Sequence, residues 1–534
     1  MPNPSPPAAA DAVVIGSGPN ALVAANALVD AGWDVVVLEQ QPSLGGAVRS
    51  AEVAAPGYVT DLFSAFYPLA AASPVLRGLD LGRHGLAWSQ APAVLAHVTS
   101  DGGAAVLHRN ADDTAAGLDA FAPGDGDAWL RLVDDWRRLR DPLLDALFTT
   151  FPPVGAGLRL LRRLGTAGAL RLARQATMGV RRFAAEQFDG AGGRLLLTGN
   201  ALHTDLGPEA AGSALFGWLL CMLGQDVGFP VPRGGSGELS AALAARAVAG
   251  GAQLHTGVEV TGVEVAGGRA TGVRLASGER ILARRAVLAG VSAPALYTRL
   301  LEPGDVPARL LDDLRRFQWD HSTLKVNWAL RSSIPWRAAA AAGAGTVHVG
   351  ADEDGIVDFA ADLTVGRAPR RPFLLVGQMT TADPSRSPAG TESAWAYTHL
   401  PRALADDRAV LDTQVQRLEE TMEQAAPGFG DLVVGRHVQH PLDLQDADAN
   451  LSRGAINGGT AALHQELVFR PTPGLGRPGT PIAGLYLASA SAHPGGGVHG
   501  ACGWNAARAA LRDNGRAGTV RAALARTAWS RVLR

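Results

Sequence analysis

Cysteine is scarce in this sequence: its 534 residues include two, Cys221 and Cys502, which do not form a C-x-x-C pair. This spacing argues against dithiol redox chemistry, a zinc cluster and a secreted fold held by disulfides. Histidine, aspartate and glutamate show no spacing typical of metal ligands, so we predict no metal site. No run of about 18 uninterrupted apolar residues occurs either, so a membrane-spanning helix is not expected.

An excess of one charge sign is also lacking, because the formal net charge is only −2. Such a balance provides no general attraction to nucleic acid or to anionic membranes. The first residues, MPNPSPPAAAD, have neither the basic nor the apolar region of a secretory signal. We therefore expect a cytoplasmic protein with no nucleic-acid partner. The 47% hydrophobic content and the length suit two interwoven domains with large cores.

A nucleotide-binding pattern begins near the N-terminus, in VVIGSGPNALVAANALVDAGWDVVVLE. The apolar, β-branched residues 12–15 predict a buried parallel strand. Gly16, Gly18 and Ala21 then fill the spacing G-x-G-x-x-A, in which the first glycine permits a sharp turn and the second lets the backbone approach a pyrophosphate. A helix is predicted over residues 19–31, and its first turn, which contains Pro19 and Asn20, faces the phosphates.

The acid that completes this pattern follows a second predicted strand, residues 34–38. Glu39 stands at the tip of that strand, with Gln40 next to it, and lies 23 residues after Gly16. At about this distance an acid can accept hydrogen bonds from an adenosine ribose. Strand, glycine turn, helix, strand and acid in this order predict a dinucleotide-binding unit.

A second glycine pair, Gly45 and Gly46, comes shortly after the acid and is followed by Ala47. Such a pair can pass close to a dinucleotide beyond its adenosine half. Arg49 stands just behind it, where an arginine can clamp a pyrophosphate. The alternative for Arg49 is an ordinary surface arginine.

One segment is strongly basic. Residues 158–185 contain seven arginines and no acid, among leucines at roughly helical spacing. A basic amphipathic helix of this kind can lie on a membrane surface. The alternative is a helical cap over the active site with its arginines in water, and the two are compatible if the pocket opens towards lipid.

The chain resembles the phytoene desaturase-related flavoproteins of the flavin amine oxidase superfamily. The resemblance rests on IGSGPNALVAANALVDAGWDVVVLEQ, on the pair Gly45–Gly46, on PRGGSGEL and on the closing HPGGGVHGACGWNAA. It is greatest to the branch called pyridine nucleotide-disulfide oxidoreductase domain-containing protein 2. The redox cysteine pair and the second NAD(P)-binding unit of true disulfide reductases are lacking here.

This resemblance implies non-covalent FAD in an α/β, Rossmann-type domain assembled from residues 1–75, 230–300 and 480–534. Residues 76–229 and 301–479 would form an α+β substrate domain with a mixed or antiparallel sheet and a helical cap. In relatives of this fold a backbone segment near Val260 holds the adenine. The glycine run with Gly497 and Val498 would lie beside the flavin.

Candidate catalytic residues follow from the same resemblance. Lys325 is the only lysine among 48 basic residues. It could sit near the flavin and hold a water molecule, as a lysine does in the amine oxidases, or be a solvated strand lysine. His493 and His499 flank the glycine run, where either could position substrate or transfer a proton. The alternatives are a loop-capping and a packing histidine.

We therefore expect an FAD-dependent oxidoreductase that takes hydride from an apolar, isoprenoid or lipid-like substrate, as a desaturase does. Flavin chemistry needs a C–H bond held close to the flavin with water excluded, and few acid or base groups. Reoxidation by oxygen, a quinone or another acceptor would follow. The alternatives are a flavin amine oxidase or small-molecule oxidase, for which only Tyr486 and Trp504 offer aromatic rings near the last strand, and a flavin-binding regulatory protein.

Overall fold

The structure of the protein is a computed structural model that describes residues 5–515 and 518. Part of the predicted stretch 480–534 therefore lies outside the described residues. The strands are, in chain order, β1 Ala9–Ile15, β2 Val35–Glu39, β3 Ser50–Ala51, β4 Thr60–Asp61, β5 Trp88–Ser89, β6 Ala93–Val98, β7 Ala104–Leu107, β8 Val231–Pro232, β9 Gln253–Thr256, β10 Val260–Ala266, β11 Arg269–Leu275, β12 Arg280–Ala289, β13 Ser322–Leu330, β14 Ala344–Val349, β15 Leu374–Gln378, β16 Glu392–Leu400, β17 Val433–Gln439 and β18 Leu485–Leu487.

Helices connect many of these strands, and the longest series of consecutive helices lies in residues 111–226. They are, in chain order, α1 Pro19–Asp30, α2 Pro68–Ala72, α3 Pro74–Gly78, α4 Ala111–Asp119, α5 Asp125–Phe148, α6 Val154–Thr177, α7 Val180–Gln187, α8 Ala191–Ala201, α9 Ser213–Asp226, α10 Gly237–Ala249, α11 Ala293–Ala295, α12 Ala308–Leu314, α13 Glu353–Thr364, α14 Met379–Ala382, α15 Arg408–Ala425, α16 Phe429–Leu432, α17 Pro441–Ala447 and α18 Ala501–Asp513.

The first sheet is mostly parallel and contains the predicted nucleotide unit. Its seven strands run in the order β10-β11-β12-β1-β2-β9, and β18 pairs with the last residues of β12. β1 lies between β12 and β2 and is parallel to both. Apolar side chains from β1 and β2 enter clusters on both faces of the sheet, which explains why these strands read as continuous apolar runs. The predicted strand–helix–strand order is thereby confirmed.

The second sheet has seven strands in the order β17-β13-β16-β15-β14-β6-β7 and is antiparallel except for the pair β14–β6. Its strands come from residues 93–107 and 322–439, which are two separate stretches of the chain. β13 lies between β16 and β17, and all of its residues are buried. Its register places Lys325 between Tyr397 of β16 and Gln439 of β17. The molecule is thus α/β, with one mixed parallel sheet and one mixed antiparallel sheet.

The basic segment is not one continuous helix. Residues 158–185 fall in α6 and α7, separated by the extended residues Met178 and Gly179. α6 itself is kinked at Gly165, which has φ +62°. A side chain on Gly179 would lie 2.9 Å from the Pro208 carbonyl oxygen, so a close approach of the chain accompanies the break. The segment therefore lies on two separate basic helices, the longer of which is kinked.

Membrane insertion of a helix was not expected from the sequence. Within the described part of the chain, none of the helices combines the length and the apolar character that crossing a bilayer requires.

Candidate functional site

A cavity of about 400 Å³ lies between the two sheets. One wall consists of the loops that follow the parallel strands β1, β12 and β18. The opposite wall is a face of the second sheet, with side chains from β13, β14, β15 and β16. Open α/β sheets bind ligands beyond the carboxyl ends of their strands, so the cavity stands where the fold makes a site.

The glycine turn after β1 has the geometry that a bound dinucleotide needs. Gly16 adopts φ +86°, a left-handed conformation that favours glycine. Gly18 has an ordinary φ of −62°, and a side chain added there would meet no atom of the described residues within 4 Å. Gly18 lines the cavity, so the open space beside it belongs to the cavity.

Glu39 stands at the end of β2 and is buried. Its carboxylate accepts hydrogen bonds of 2.8 Å from both the backbone N–H and the hydroxyl of Ser17, and one of 2.9 Å from the Gln41 N–H. These donors fix the acid beside the glycine turn, and its contact with an adenosine ribose stays a prediction. The backbone of Val258 also bonds to the Glu39 carbonyl, which brings the strand that begins at Val260 to the same corner.

The second glycine pair packs directly on the first glycine turn. A side chain on Gly46, which has φ +54°, would lie 3.0 Å from the Gly18 α-carbon. Arg49 holds this loop from outside the cavity: it donates to the Gly46 carbonyl at 2.9 Å and to the Ala447 carbonyl at 2.8 Å. The structure therefore places Arg49 as a brace between the glycine loop and α17, with its guanidinium on protein carbonyls.

Two cavity residues from the stretch 301–479, Asp448 and Asn450, were not predicted. Asn450 accepts a hydrogen bond from the Ser292 N–H at 2.8 Å and donates to the Gly290 carbonyl at 3.2 Å, which ties its loop to the end of β12. Burial, together with the negative charge of Glu39, raises the pKa of Asp448 to about 6. No local motif marks either residue, because only the fold brings them to the nucleotide corner.

The closing motif lies against α1. A side chain on Gly503 would lie 1.7 Å from the Asn20 carbonyl oxygen, so glycine is required for α18 to pack on the start of α1. The loop before α18 supplies Gly497 and Val498 to the cavity lining. His499 lines it too, and its Nδ1 accepts the Ala501 N–H at 3.0 Å, which caps the first turn of α18.

The two predicted histidines have different environments. His493 is turned towards the helical insertion, where its Nε2 lies 3.2 Å from the Thr149 carbonyl oxygen, and it does not line the cavity among the described residues. Burial lowers the pKa of both His493 and His499 to about 4. Both imidazoles are therefore neutral at pH 7.

Lys325 is buried in the opposite wall of the cavity. Its Nζ donates to the Asp61 carbonyl and to the Phe63 carbonyl at 3.5 Å, and it lies 5.2 Å from the centre of the Trp395 ring. Burial lowers the pKa of Lys325 to about 7, and the charge of Asp61 opposes that effect. A lysine that titrates near neutral pH in a cavity is typical of a functional site.

The predicted residues fall into two groups. Those that line the cavity are Gly18, Pro19, Asn20, Ala21, Ala47, Gly497, Val498, Lys325 and His499. Those that lie behind the lining, within the described part of the chain, are Gly16, Glu39, Gln40, Gly45, Gly46, Arg49, Val260 and His493. Gln40 is exposed, and the roles predicted for the second group stay predictions.

An aromatic pair in the cavity was missed. Trp395 and Tyr397 of β16 line it, with ring centres 5.8 Å apart and planes at 19°. The pair considered from the sequence lies elsewhere: Tyr486 donates to Asp513 at 2.9 Å, and Trp504, a residue of α18, is partly buried against an apolar cluster. The alternation in ESAWAYTHL was the available signal, since period two places Trp395, Tyr397 and His399 on one strand face.

Comparison with known proteins gives a consistent result. The family model described as "Flavin containing amine oxidoreductase" matches residues 22–511. The mouse (Mus musculus) protein named "Pyridine nucleotide-disulfide oxidoreductase domain-containing protein 2" is 29% identical, over 94% of this chain and 93% of the mouse protein. One component of the limonene dehydrogenase of Castellaniella defragrans is 23% identical, over 95% of each chain. Phytoene desaturases are also among the similar proteins.

Among solved structures, wild-type putrescine oxidase bound to putrescine superposes with a TM-score of 0.61. The match covers 94% of this chain and 98% of the oxidase, at 18% sequence identity. At this identity the likeness concerns the fold. The predicted resemblance to this flavoprotein superfamily is confirmed by the family model and the relatives together.

Proposed function

Because the chain belongs to the flavin-containing amine oxidoreductase family and is an FAD-dependent oxidoreductase, we propose that it removes hydride from an uncharged, largely apolar substrate. The proposal names an isoprenoid or lipid-like molecule as the substrate and desaturation or dehydrogenation as the reaction. FAD, when bound, supplies the hydride acceptor.

The residues at the nucleotide end of the cavity fit FAD. The space beside Gly18 is open, and the Asn20 Oδ1 atom is buried at the cavity with no hydrogen-bond partner within the described residues. The first turn of α1 leaves backbone N–H groups free, which suits a pyrophosphate. Gly18, Asn20, Ala21 and Ala47 would hold the dinucleotide, and Glu39 would face its ribose.

The observation that supports an apolar substrate is the distribution of charge in the cavity lining. Its charged residues, in the part of the chain that the structure describes, are Lys325, Asp448, Glu466 and Arg470. Glu466 and Arg470 pair with each other at 2.8 Å, and Asp448 lies at the nucleotide corner. No carboxylate of the described lining is therefore free to bind a substrate ammonium on the sheet side.

Apolar side chains form much of the lining next to that side. They come from the end of α5, from α9 and from the loop after α9, and they include Leu147, Phe216, Leu219, Leu220 and Phe229. Such walls exclude water and hold a hydrocarbon by its apolar surface. Relatives named for limonene and for phytoene are consistent with this reading.

A direct test is anaerobic bleaching of the flavin. The FAD-loaded protein, mixed with an uncharged C10 to C20 isoprenoid, is expected to lose its flavin absorbance near 450 nm, while primary amines such as putrescine leave it unchanged. Bleaching by amines alone would contradict the proposal. Heat-denatured protein with an equal concentration of free FAD serves as the control for non-enzymatic reduction.

An amine or small-molecule oxidase is the second candidate, and one observation favours it. The stacked rings of Trp395 and Tyr397 stand beside Lys325, and aromatic faces attract ammonium groups. The fold shared with putrescine oxidase is compatible with this candidate. The bleaching experiment distinguishes the two candidates, because they predict that different classes of compound reduce the flavin.

We propose the same division of the chain as the sequence suggested, with the first sheet as the FAD domain and the second sheet as the substrate domain. Strands at 9–39, 253–289 and 485–487 form the first sheet, which supports a discontinuous FAD domain. Oxygen, a quinone or another acceptor would then reoxidise the flavin.

Peripheral membrane contact through α6 is a further part of the proposal. Leu158 and Leu161 are each 49% exposed on this helix, and Leu170 is 68% exposed. Arg162 and Arg171 form no ion pair among the described residues. A helix with exposed leucines and free arginines suits the surface of an anionic membrane.

A flotation experiment tests this contact. The full-length protein is expected to float with vesicles that contain phosphatidylserine, and L158E/L161E should reduce the floated fraction by about tenfold, because two apolar anchors become acidic. The control is V434E, which changes a side chain that is also 49% exposed, on β17. Equal flotation of the double variant and the wild type would rule out α6 as the contact.

A further inference from the structure

The sheet wall of the cavity carries polar groups that an entirely apolar substrate would leave unused. Thr346 and Trp395 both line the cavity and are 1% and 5% exposed. The Thr346 hydroxyl and the Trp395 indole N–H have no hydrogen-bond partner among the described residues. Buried polar groups in proteins are nearly always paired, so unpaired donors on neighbouring strands of one cavity wall indicate a missing ligand.

These two groups are brought together by Gly377. Thr346 of β14 pairs in register with Gly377 of β15, which pairs with Trp395 of β16. Gly377 lacks a side chain, and the indole lies over it: a β-carbon there would be 2.7 Å from the Trp395 Nε1. The indole N–H therefore stands about one strand spacing, ~4.8 Å, from the Thr346 strand.

A third polar group, His203, lines the cavity next to Thr346. It lies in the short turn Leu202–Thr204 after α8, and its Nε2 is 2.8 Å from the Nε2 of His348. His348 follows Thr346 by two residues on the same face of β14, which places the two histidines beside the threonine.

The hydrogen bond with His348 determines which ring nitrogen of His203 carries the proton. The Nδ1 of His348 is enclosed against Gly199 and has no partner within residues 5–515. A proton on that atom would leave a buried N–H unpaired, which is rarer than an unpaired acceptor. The proton of His348 therefore sits on Nε2 and is donated to His203, so that His203 carries its own proton on Nδ1 as a further donor.

Thr346, Trp395 and His203 are thus three donors that carry no charge of their own, while Lys325 is the cation of the same wall. Burial lowers the pKa of His203 to about 3 and that of His348 well below its usual value, so both rings are neutral at pH 7. An ammonium would meet donors in place of acceptors, and a carboxylate would lose hydration without gaining a cation from these three groups. A hydrocarbon would bury all three donors unpaired.

We propose that Thr346, Trp395 and His203 bind an uncharged carbonyl oxygen of the substrate. The substrate would then be an apolar molecule with one ketone, ester or amide group, held at the sheet wall by that oxygen. His348 is a positioning residue, because it acts through the tautomer of His203. The inference rests on the proposed function, since it concerns the substrate of the same cavity.

Four ligands with one carbon skeleton test the proposal: carvone, limonene, perillic acid and perillylamine supply a ketone, a hydrocarbon, an acid and an amine. Binding to the FAD-loaded full-length protein is measured by calorimetry. Carvone is expected to bind at least about tenfold more tightly than the other three. T346V and W395F should each lower the affinity for carvone by about threefold to tenfold. The affinity for limonene should change by no more than about twofold in either variant. Carvone binding no tighter than limonene, or no binding of any ligand, would overturn the proposal.

A spectroscopic signature separates hydrogen bonding from a change of shape. The carbonyl ¹³C resonance of labelled carvone should move downfield on binding, and the shift should shrink in T346V, W395F and His348→Leu. Thr398→Val is the matched control: Thr398 is also a buried threonine with an unpaired hydroxyl and lies on β16 with Trp395, but it does not line the cavity among the described residues. Its variant should keep the full shift. The proposed function is tested separately by flavin bleaching, so either can fail alone.

Discussion

Gly18→Val is expected to abolish FAD binding while the protein stays folded. The substitution places a branched side chain in the open space beside the glycine turn, where the structure has no atom of the described residues within 4 Å of an added β-carbon. Gly18 has φ −62° and ψ 166°, so valine fits its backbone without strain. The pyrophosphate needs that space, and we expect FAD affinity to fall by at least about 100-fold.

The measurement is FAD titration of the apoprotein, followed by flavin fluorescence, together with a thermal unfolding curve. Gly18→Ala should give a smaller loss than valine, because a single methyl group intrudes less. Gly117→Val is the matched control: this glycine of α4 is exposed and also has no neighbour within 4 Å in the described residues. Full FAD affinity in the Gly18→Val variant would show that the cofactor does not pass the glycine turn.

Lys325→Met is expected to slow reoxidation of the reduced flavin by about 100-fold, with oxygen or a quinone as the acceptor. In the wild type the pKa of Lys325 is lowered to about 7, mainly by burial. Its ammonium form stabilises negative charge in the cavity, so the wild-type rate should fall as the pH rises through about 7. The variant should show no such transition, since methionine does not titrate.

Stopped-flow mixing of photoreduced protein with the acceptor, between pH 6 and pH 9, measures both effects. Thr323→Val, on the same face of β13, serves as the control and should retain the wild-type profile. His493 and His499 have pKa values of about 4, so neither should add a transition in this range. Unchanged rates in Lys325→Met would remove the lysine from the chemistry.

The same variant should also be more stable below neutral pH. The folded pKa of Lys325, about 7, lies below the ordinary value of 10.5, so between these pH values the unfolded chain holds the extra proton. The cost of burying the charge is therefore complete below pH 7 and disappears as the pH rises to 10.5. Denaturant unfolding should show a gain for Lys325→Met at pH 6 that shrinks towards pH 10.

The local sequence was sufficient to predict those parts of the fold and the site that are contiguous in the chain. The order of β1, α1 and β2 and the position of Glu39 follow from apolar periodicity, from glycines that permit close approach, and from a fixed spacing to the acid. Each of these signals acts over about 30 residues.

The sequence alone could not show which distant side chains share the cavity. Trp395, Thr346 and His203 are separated by tens of residues or more. Trp395 and Thr346 meet on neighbouring strands of one sheet, and the turn after α8 brings His203 to the same cavity. Of the chain's 13 histidines, the ones that line the cavity among the described residues are His203 and His499. Neither composition nor spacing distinguishes them from the others.

The sequence by itself therefore determined the cofactor class and the order of strand, glycine turn, helix and acid, because these signals lie at a fixed spacing typical of dinucleotide-binding units. Only the tertiary structure decided the surroundings of Lys325 and the set of polar groups on the same sheet wall. Burial sets the pKa of a lysine, and strand register sets which donors stand unpaired side by side. Both depend on residues brought together from across the chain, and such long-range pairing leaves no periodic signal in the sequence.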